Sequence, residues 1–557
     1  MEFIIKMVEG VPTAILLLFF VNSLFVIYYG YRVWIASDHN SSDTRDSRPS
    51  DEPNNAVLLK QSSQVSLPKP DSSKPDRSKP DRSKPDSSKP DSSKLKFGIE
   101  DLPKICIQLP IFNEPEQVEG LLSSVSKIKW DYSKLDIQIL DDSTDETSNK
   151  IEKSLGIIQR QFPELKIHHI QRPNRNGFKA GALREGVKIS DAEFFMIFDS
   201  DFRPNEDVAL RAYEHFKIDP ELSVLQFPWG YRNSSLNHLT RIQALSLDAH
   251  FYAEHYGRSK RGLAINFNGT AGMWKRSMIE KVGGWSSCTV TEDLYLSFKA
   301  LMAGAKIKFD PSYEVSSTLP ENTTQFLIQQ RRWAKGHGQV LRLILSDIFR
   351  PSIKKLSLRM DMLFHLCAYG FSSFALILYI LSVSFTSEIS SWHNATDHLD
   401  PFRASFFLVF LLFIYLFQLH YKKSENVKHR FGIIEGTNTY GATDKAIMLL
   451  TVAPVFVMLI CPSYFQGFFH KPNSAKFLVF NRTPKKTDTG TRFSQFDLIF
   501  FLYTAFCFAV FLSFILYGFW FGAGLFTIKL IYLIRVAFSL YTEKPVKSPK
   551  QIVQTTV

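Results

Sequence analysis

Apolar stretches of membrane-crossing length divide this chain of 557 residues and leave one long polar block between them. Residues 11–36 read VPTAILLLFFVNSLFVIYYGYRVWIA, enough for a helix to traverse a hydrocarbon core. Further runs of that kind occupy 359–385, 403–420, 497–518 and about 520–540. A cleavable leader is the rival reading of the first run. It is too long for one and lacks a small-residue cleavage site, so an uncleaved anchor is expected. The run from residue 446, AIMLLTVAPVFVMLICPSYF, is different. If it crossed, the loop bearing Lys471, Lys476, Arg482, Lys485, Lys486 and Arg492 would face away from the cytoplasm, against the usual bias of basic loops. Pro454 and Pro462 are also expected to interrupt its helix. An interfacial or re-entrant helix over 446–468 is therefore expected. That leaves five spans, with the amino terminus outside and the carboxyl terminus in the cytoplasm.

The formal charge of +12 is concentrated around the apolar segments. It fits cytoplasmic loops and anionic ligands, and no nucleic-acid partner is expected. Five cysteines without paired spacing argue against both a disulfide framework and a zinc site. From 37 to 97 the composition turns to Ser, Asp, Pro and Lys, and residues 69–94 repeat KPDSS or KPDRS. Proline removes amide donors and the charges alternate, so this stretch is read as a solvated spacer without a core.

The polar block folds differently. KICIQLPIF, LDIQILDD and EFFMIFDSD are short apolar runs ending in turn residues, with helical stretches between them, and VLQFPW is a candidate fourth. Strands alternating with helices predict a mostly parallel sheet, whose ligand site lies at the strands' carboxyl ends. Polar residues gather there: Asn113 and Glu114, Asp141 and Asp142, Asp199 and Asp201.

Asp199 and Asp201, two apart at a strand end, are expected to project to one side. A hard ion such as Mg²⁺ or Mn²⁺ suits that arrangement, with phosphate oxygens completing its shell. A surface turn is the bland alternative. Lys179 lies in NRNGFKAGALREG, a glycine-bearing turn entering a helix, where amides and a point charge suit a diphosphate. A solvated lysine at a loop junction is the competing reading. Thr291 is placed as the N-cap of EDLYLSFKALMAG, with Glu292 and Asp293 in the first turn. Acids favour helix starts in any protein, yet Asp293 there also suits a general base. On a helix, Gln329, Arg332 and Trp333 share one face and offer donors to an anion and a flat plate to a sugar.

PIFNE, LDDST, NRNGFKAGALREG, FDSDF, FNGTAGMW, TED and QQRRW occur in that order, over roughly residues 100–345. Together they resemble the processive, membrane-embedded, inverting glycosyltransferases of family 2, most of all the cellulose-synthase-like A group that makes β-1,4-mannan or glucomannan. The resemblance implies an α/β GT-A domain joined to an α-helical transmembrane bundle. It places Asp142 on the nucleotide base, with Asp141 shaping the turn and Glu114 on the donor side. Lys179 would approach the nucleotide or its diphosphate, Asp199 would orient the donor and Asp201 would hold Mg²⁺ or Mn²⁺. Asp293 would be the base, Gln329 and Arg332 would face the diphosphate, and Trp333 would stack under the acceptor's terminal sugar. Asn268, Gly269 and Thr270 would line the acceptor end. Phe480-Asn-Arg-Thr-Pro-Lys485 resembles a gating loop, with Thr483 and Lys485 closing over the donor and Arg482 departing from the family's usual valine.

The implied order is an anchor at 1–36, a linker at 37–97, the GT-A domain at 98–320 and interfacial helices with QxxRW at 321–350. A transmembrane bundle follows at 351–540, holding the interfacial helix and a gating-like loop at 469–496, and then a cytoplasmic tail at 541–557. The expected partners are a nucleotide sugar (GDP-mannose, GDP-glucose or UDP-glucose), a growing β-glycan and the lipid bilayer. The expected place is a bacterial inner membrane or a Golgi membrane, with the catalytic domain in the cytosol. Ceramide glucosyltransferases share the D, DxD, D and (Q/R)xxRW pattern, so a non-processive glycolipid-forming enzyme is the alternative. The paired spans after Trp333 and the FNRTPK-like loop favour the polymer.

Overall fold

The computed structural model describes residues 102–350, 355–370 and 442–469, with scattered helical positions between 501 and 534. The expected anchor, the repeat linker, the run at 403–420 and the loop with Thr483 and Lys485 lie outside the described residues. Among the described residues no helix is long and apolar enough to cross a membrane.

The polar block forms an α/β fold. Strands β1 (Ile105–Ile111), β2 (Leu135–Asp141), β3 (Lys166–Gln171) and β4 (Phe194–Ile197) run parallel. All of β2 and β4 is buried, as nearly continuous apolar runs require when helices cover both faces. Those helices are α1 (Val118–Val125), α2 (Thr147–Gln161), α3 (Phe178–Lys188) and α4 (Val208–Ile218). The fourth apolar run is β5 (Leu222–Gln226).

The sheet is mostly parallel, as expected, with one antiparallel strand set into it. Strand β7 (Gly272–Lys275) runs antiparallel to both β4 and β5, and β8 (Lys306–Phe309) pairs parallel with β5. The strand order is β3-β2-β1-β4-β7-β5-β8. Four residues beginning with glycine carry no readable alternation. A side chain at Gly272 would lie 2.3 Å from the Leu225 carbonyl, so the bare backbone lets the strands close. A separate two-stranded parallel sheet is formed by β6 (Trp229–Tyr231) and β9 (Val315–Ser317).

Alternate residues of β4 serve two cores. Phe195 and Ile197 join the cluster beneath α3, while Phe194 and Met196 join that beneath α1, α2 and α4. The first cluster extends to α8 (Glu292–Met302) and α9 (Thr323–Ile348). Each fully buried aromatic in it, such as Trp274 or Phe298, contributes about 2–3 kcal/mol. Between these lie α5 (His238–Asp248), a π-helical stretch (Ala249–His255), α6 (Tyr256–Arg261) and α7 (Arg276–Lys281). Arg258 of α6 meets Asp361 of α10 (residues 356–370) at 2.7 Å, and Asp361 also accepts the Ala264 N–H at 2.8 Å. Both charged side chains are buried.

The expected interruption of the helix near residue 446 does not occur. Helix α11 (Ala442–Phe469) runs unbroken through positions 454 and 462. Pro462 has no N–H for the carbonyl of Met458 four residues back, yet the helix continues, packed along its length against α9. Arg331 donates Nε to the Leu459 carbonyl at 2.9 Å and Arg342 donates Nη1 to Phe468 O at 2.9 Å. Glycines let the two backbones meet, since a Cβ on Gly338 would lie 2.2 Å from Tyr464 O and one on Gly467 would lie 2.1 Å from Lys335 O.

Candidate active site

The carboxyl ends of β1, β2 and β4 bring their acids to one edge, but each acid has a different environment. Asp141 is fully buried and accepts from His169 Nε2 at 2.9 Å, Ser148 Oγ at 2.6 Å and the Ser143 N–H at 2.9 Å. Burial alone would raise its pKa, but these donors together hold it well below the usual carboxylate range. Asp141 therefore braces the turn. Its neighbour Asp142 takes Arg172 in a forked pair, with Nε at 2.8 Å from Oδ1 and Nη2 at 2.5 Å from Oδ2. Arg175 lies 3.9 Å away and stacks over the Phe112 ring at 3.3 Å. Asn113, with φ of 52°, ties the end of β1 to the β2 turn through the Thr144 N–H at 2.8 Å and Ser143 Oγ at 3.0 Å. Glu114 follows it, half-buried, and its carbonyl accepts from Val118 N at the start of α1.

The NRNGFKAGALREG block folds as read. Gly177 turns at φ of 74° into α3, which carries Lys179 in its first turn. Lys179 Nζ lies 2.5 Å from Asp199 Oδ1 and 2.9 Å from the Gly269 carbonyl. Burial lowers its pKa, but Asp199, Glu292 and Asp293 outweigh that and raise it, so the ammonium stays charged. Asp201 is buried, and one of its oxygens accepts from Thr318 Oγ1 at 3.3 Å.

The FNGT loop closes this edge. Thr270 Oγ1 accepts the Asp199 N–H at 3.0 Å, and Asn268 donates its N–H to Gln226 Oε1 at 2.8 Å. Gly269 has φ of 81°, and a Cβ on it would lie 2.7 Å from Asp293 Oδ2 and 3.6 Å from Lys179 Nζ. Those two distances bring the expected base, the expected cation and the loop into one group. Asp293 stands in the first turn of α8, with Oδ1 accepting the Leu294 N–H at 2.8 Å. Burial raises its pKa, against the pull of Lys179 and Arg332. Burial and the Asp293 charge push Glu292 up to about 7. Thr291 occupies the N-cap position but its side chain makes no cap bond; its hydroxyl instead lies 3.3 Å from that of Thr289.

QQRRW lies within α9. Arg332 acts on Glu292 and Asp293 from that helix, Trp333 meets Trp229 with ring centroids 6.4 Å apart, and Gln329 lies half-buried one turn before them. Thr483 and Lys485 lie outside the described residues. Two contributors went unread in the sequence. Arg172 holds Asp142, and the fully buried Gln226 also bonds the Thr270 and Ala271 carbonyls at 3.1 Å. A glutamine inside the apolar run VLQFPW was the available signal, because a buried amide must find partners.

The donor set at Asp199 and Asp201 is all oxygen, which suits a hard divalent ion that takes one or two carboxylates and completes its shell with phosphates. Among the described residues no group of three or more His, Cys, Asp or Glu gathers to hold an ion from protein ligands alone.

Residues 194–420 match the family described as Glycosyl transferase family group 2. Over 257 residues the chain is 34% identical to probable glucomannan 4-beta-mannosyltransferase 15 of Arabidopsis thaliana, covering 46% of this chain and 48% of that protein. Glucomannan 4-beta-mannosyltransferase 2 of the same organism is 34% identical over 260 residues, with the same coverage of each. The chain thus spans about half the length of the curated relatives it matches. A solved mannosyltransferase of Pyrobaculum calidifontis, in complex with GDP-Man and Mn²⁺, is 16% identical at a TM-score of 0.44, covering 66% of this chain and 88% of its own. Motifs, family match and relatives agree that this chain carries a family 2 glycosyltransferase domain.

Proposed function

We propose that this chain transfers a hexose, mannose first among the candidates, from a nucleoside diphosphate donor to a hydroxyl of a β-linked glycan with inversion. The convergence of Asp293, Lys179 and Asp199 around Gly269 carries this reading. Asp293 takes the proton from the acceptor hydroxyl as its oxygen bonds the anomeric carbon. The bond from that carbon to the diphosphate oxygen breaks on the opposite face. One base suffices for such a displacement, whereas hydrolysis requires two flanking carboxylates. The sugar follows from the names of the relatives, glucomannan 4-β-mannosyltransferases.

Asp201, with Asp199 beside it, would hold Mg²⁺ or Mn²⁺, and that ion would supply positive charge against the leaving diphosphate. Arg332 and Gln329 face the same anion, and Trp333 with Asn268 and Thr270 takes the acceptor end. Asp142 with Arg172 forms the nucleotide end, and Thr483 and Lys485 close over the donor. Repeated transfer and passage of the product through the chain's own spans complete the proposal, with catalysis on the cytosolic side of a bacterial inner or Golgi membrane. These two steps are supported by the apolar runs and the FNRTPK segment.

The test is Asp293→Asn, supplied with labelled GDP-mannose, GDP-glucose and UDP-glucose. Donor binding is expected to persist while transfer is lost; normal turnover would remove the base. Long polymer from the unaltered chain supports repeated transfer, and a single-sugar lipid product overturns it.

A further inference from the structure

Helix α9 presents two stripes to two different neighbours. Positions 331, 335, 338 and 342 follow helical spacing along the side that meets α11. Arg331, the Lys335 carbonyl, Gly338 and Arg342 each touch that helix. Positions 332, 336 and 339 fall on another side, against the turn that leads into α8. Arg332 acts there on Glu292 and Asp293. A Cβ on Gly336 would lie 2.2 Å from Thr291 Oγ1 and 2.3 Å from its Cγ2, so no side chain fits between α9 and the residue before Glu292. One turn on, Gln339 is fully buried. Its Oε1 accepts the Val290 N–H at 2.9 Å and the Thr289 hydroxyl at 3.1 Å.

A buried amide whose single oxygen takes two donors from one turn fixes that turn in position and direction. Thr291 N–H is held in series, donating to Thr289 Oγ1 at 3.2 Å. Thr291 makes no capping bond itself, and the turn before the helix is held from outside it. We infer that Gln339 is a positioning residue for transfer: by holding the Thr289–Thr291 turn against α9, it fixes where Asp293 is presented at the start of α8. Gly336 allows the approach and Gln339 locks it. This rests on the reading of Asp293 as the base, and it makes α9, already braced on α11, the element that sets the base's aim.

The groups facing Asp293 are Lys179 from α3, Asp199 from the end of β4, Glu292 beside it and Arg332 from α9. If the turn loosens, Asp293 gains solvent and its carboxylate ionises more readily, so the acid limb of the rate profile moves to lower pH.

The experiment compares the full chain in its membrane with Gln339→Met, which keeps length but removes the acceptor, Thr289→Val, and both together. Sugar transfer is followed from pH 5 to 9, and donor affinity by calorimetry with GDP. Gln339→Met is expected to lower kcat at least tenfold, shift the acid limb down and leave GDP affinity within twofold. The pair should be much less than additive, because both remove one lock. Gly336→Ala should reproduce the kcat loss. An unchanged kcat and pH profile overturn the inference. So does a fall in GDP affinity matching the fall in kcat, or full additivity with Thr289→Val. Turnover that survives Asp293→Asn in the same assay would instead refute the base, whatever Gln339 does.

Discussion

Gly269→Ala tests the geometry at its tightest point. The new Cβ would lie 2.7 Å from Asp293 Oδ2 and 3.4 Å from its Cγ. The carboxylate must give way by several tenths of an ångström, and it has little freedom, because Oδ1 is held by the Leu294 N–H at 2.8 Å. The backbone is also unsuited to alanine, since φ is 81°, where an L side chain costs about 1–2 kcal/mol. Two separable effects follow. Strain lowers the melting temperature by roughly 2–8 °C for a domain of this size. Displacement of the base by several tenths of an ångström lowers kcat by about tenfold, given that a full ångström of misplacement can cost about 10²-fold. The assay is transfer from labelled GDP-mannose to a manno-oligosaccharide, with a melting curve and GDP affinity measured on the same preparation. Affinity should hold, because the proposed nucleotide end, Asp142 with Arg172, is built from β2 and the loop after β3 and not from this loop. A kcat within threefold of the unaltered chain, at the reduced melting temperature, would refute close approach of Asp293 to this loop.

Three other outcomes are expected. Lys179 lowers the Asp293 pKa against burial, so Lys179→Met should move the acid limb of kcat to higher pH and Lys179→Arg should not; pH–rate profiles decide it. Glu292 titrates at about 7 in the fold against 4.5 when free, so the unaltered chain loses stability as pH rises between those values. Glu292→Gln should therefore melt higher than the unaltered chain at pH 8 and equally at pH 4, and equal melting at both would contradict this. Asp201→Asn should raise the half-saturating Mn²⁺ concentration for transfer at least tenfold, read from a metal titration at fixed donor.

Much of the α/β block was legible because β1, β2 and β4 are buried on both faces and so appear as plain apolar runs stopped by acids, whereas the half-exposed β3 shows no such run. Gly177 and the helix after it were equally readable, since a turn with positive φ asks for glycine. Strand β7 was not, because GMWK is short and its role depends on how Gly272 fits between two distant neighbours. Two adjacent aspartates in LDDST look alike in sequence, yet His169 and Ser148 make Asp141 a brace while Arg172 claims Asp142. The donors that separate them come from β3, α2 and the loop after β3, which no local pattern reveals. Pro462 misled for a related reason: the helix packed against α11 lies more than a hundred residues earlier.

The buried pair of Arg258 and Asp361 bears on how the catalytic half can be cut free. A fragment stopped at residue 350 would keep every acid of the candidate site and the Glu254 carboxylate 3.1 Å from Arg258, yet lose the second carboxylate on Arg258, the one that also receives the Ala264 amide. Glu254 still balances Arg258, so the main loss is the acceptor of the buried Ala264 N–H, which typically costs about 1–3 kcal/mol. The damage would fall at the root of the segment leading to Asn268. An expression boundary beyond residue 370 is the sounder choice, since the catalytic half borrows its final counter-charge from the stretch that follows it.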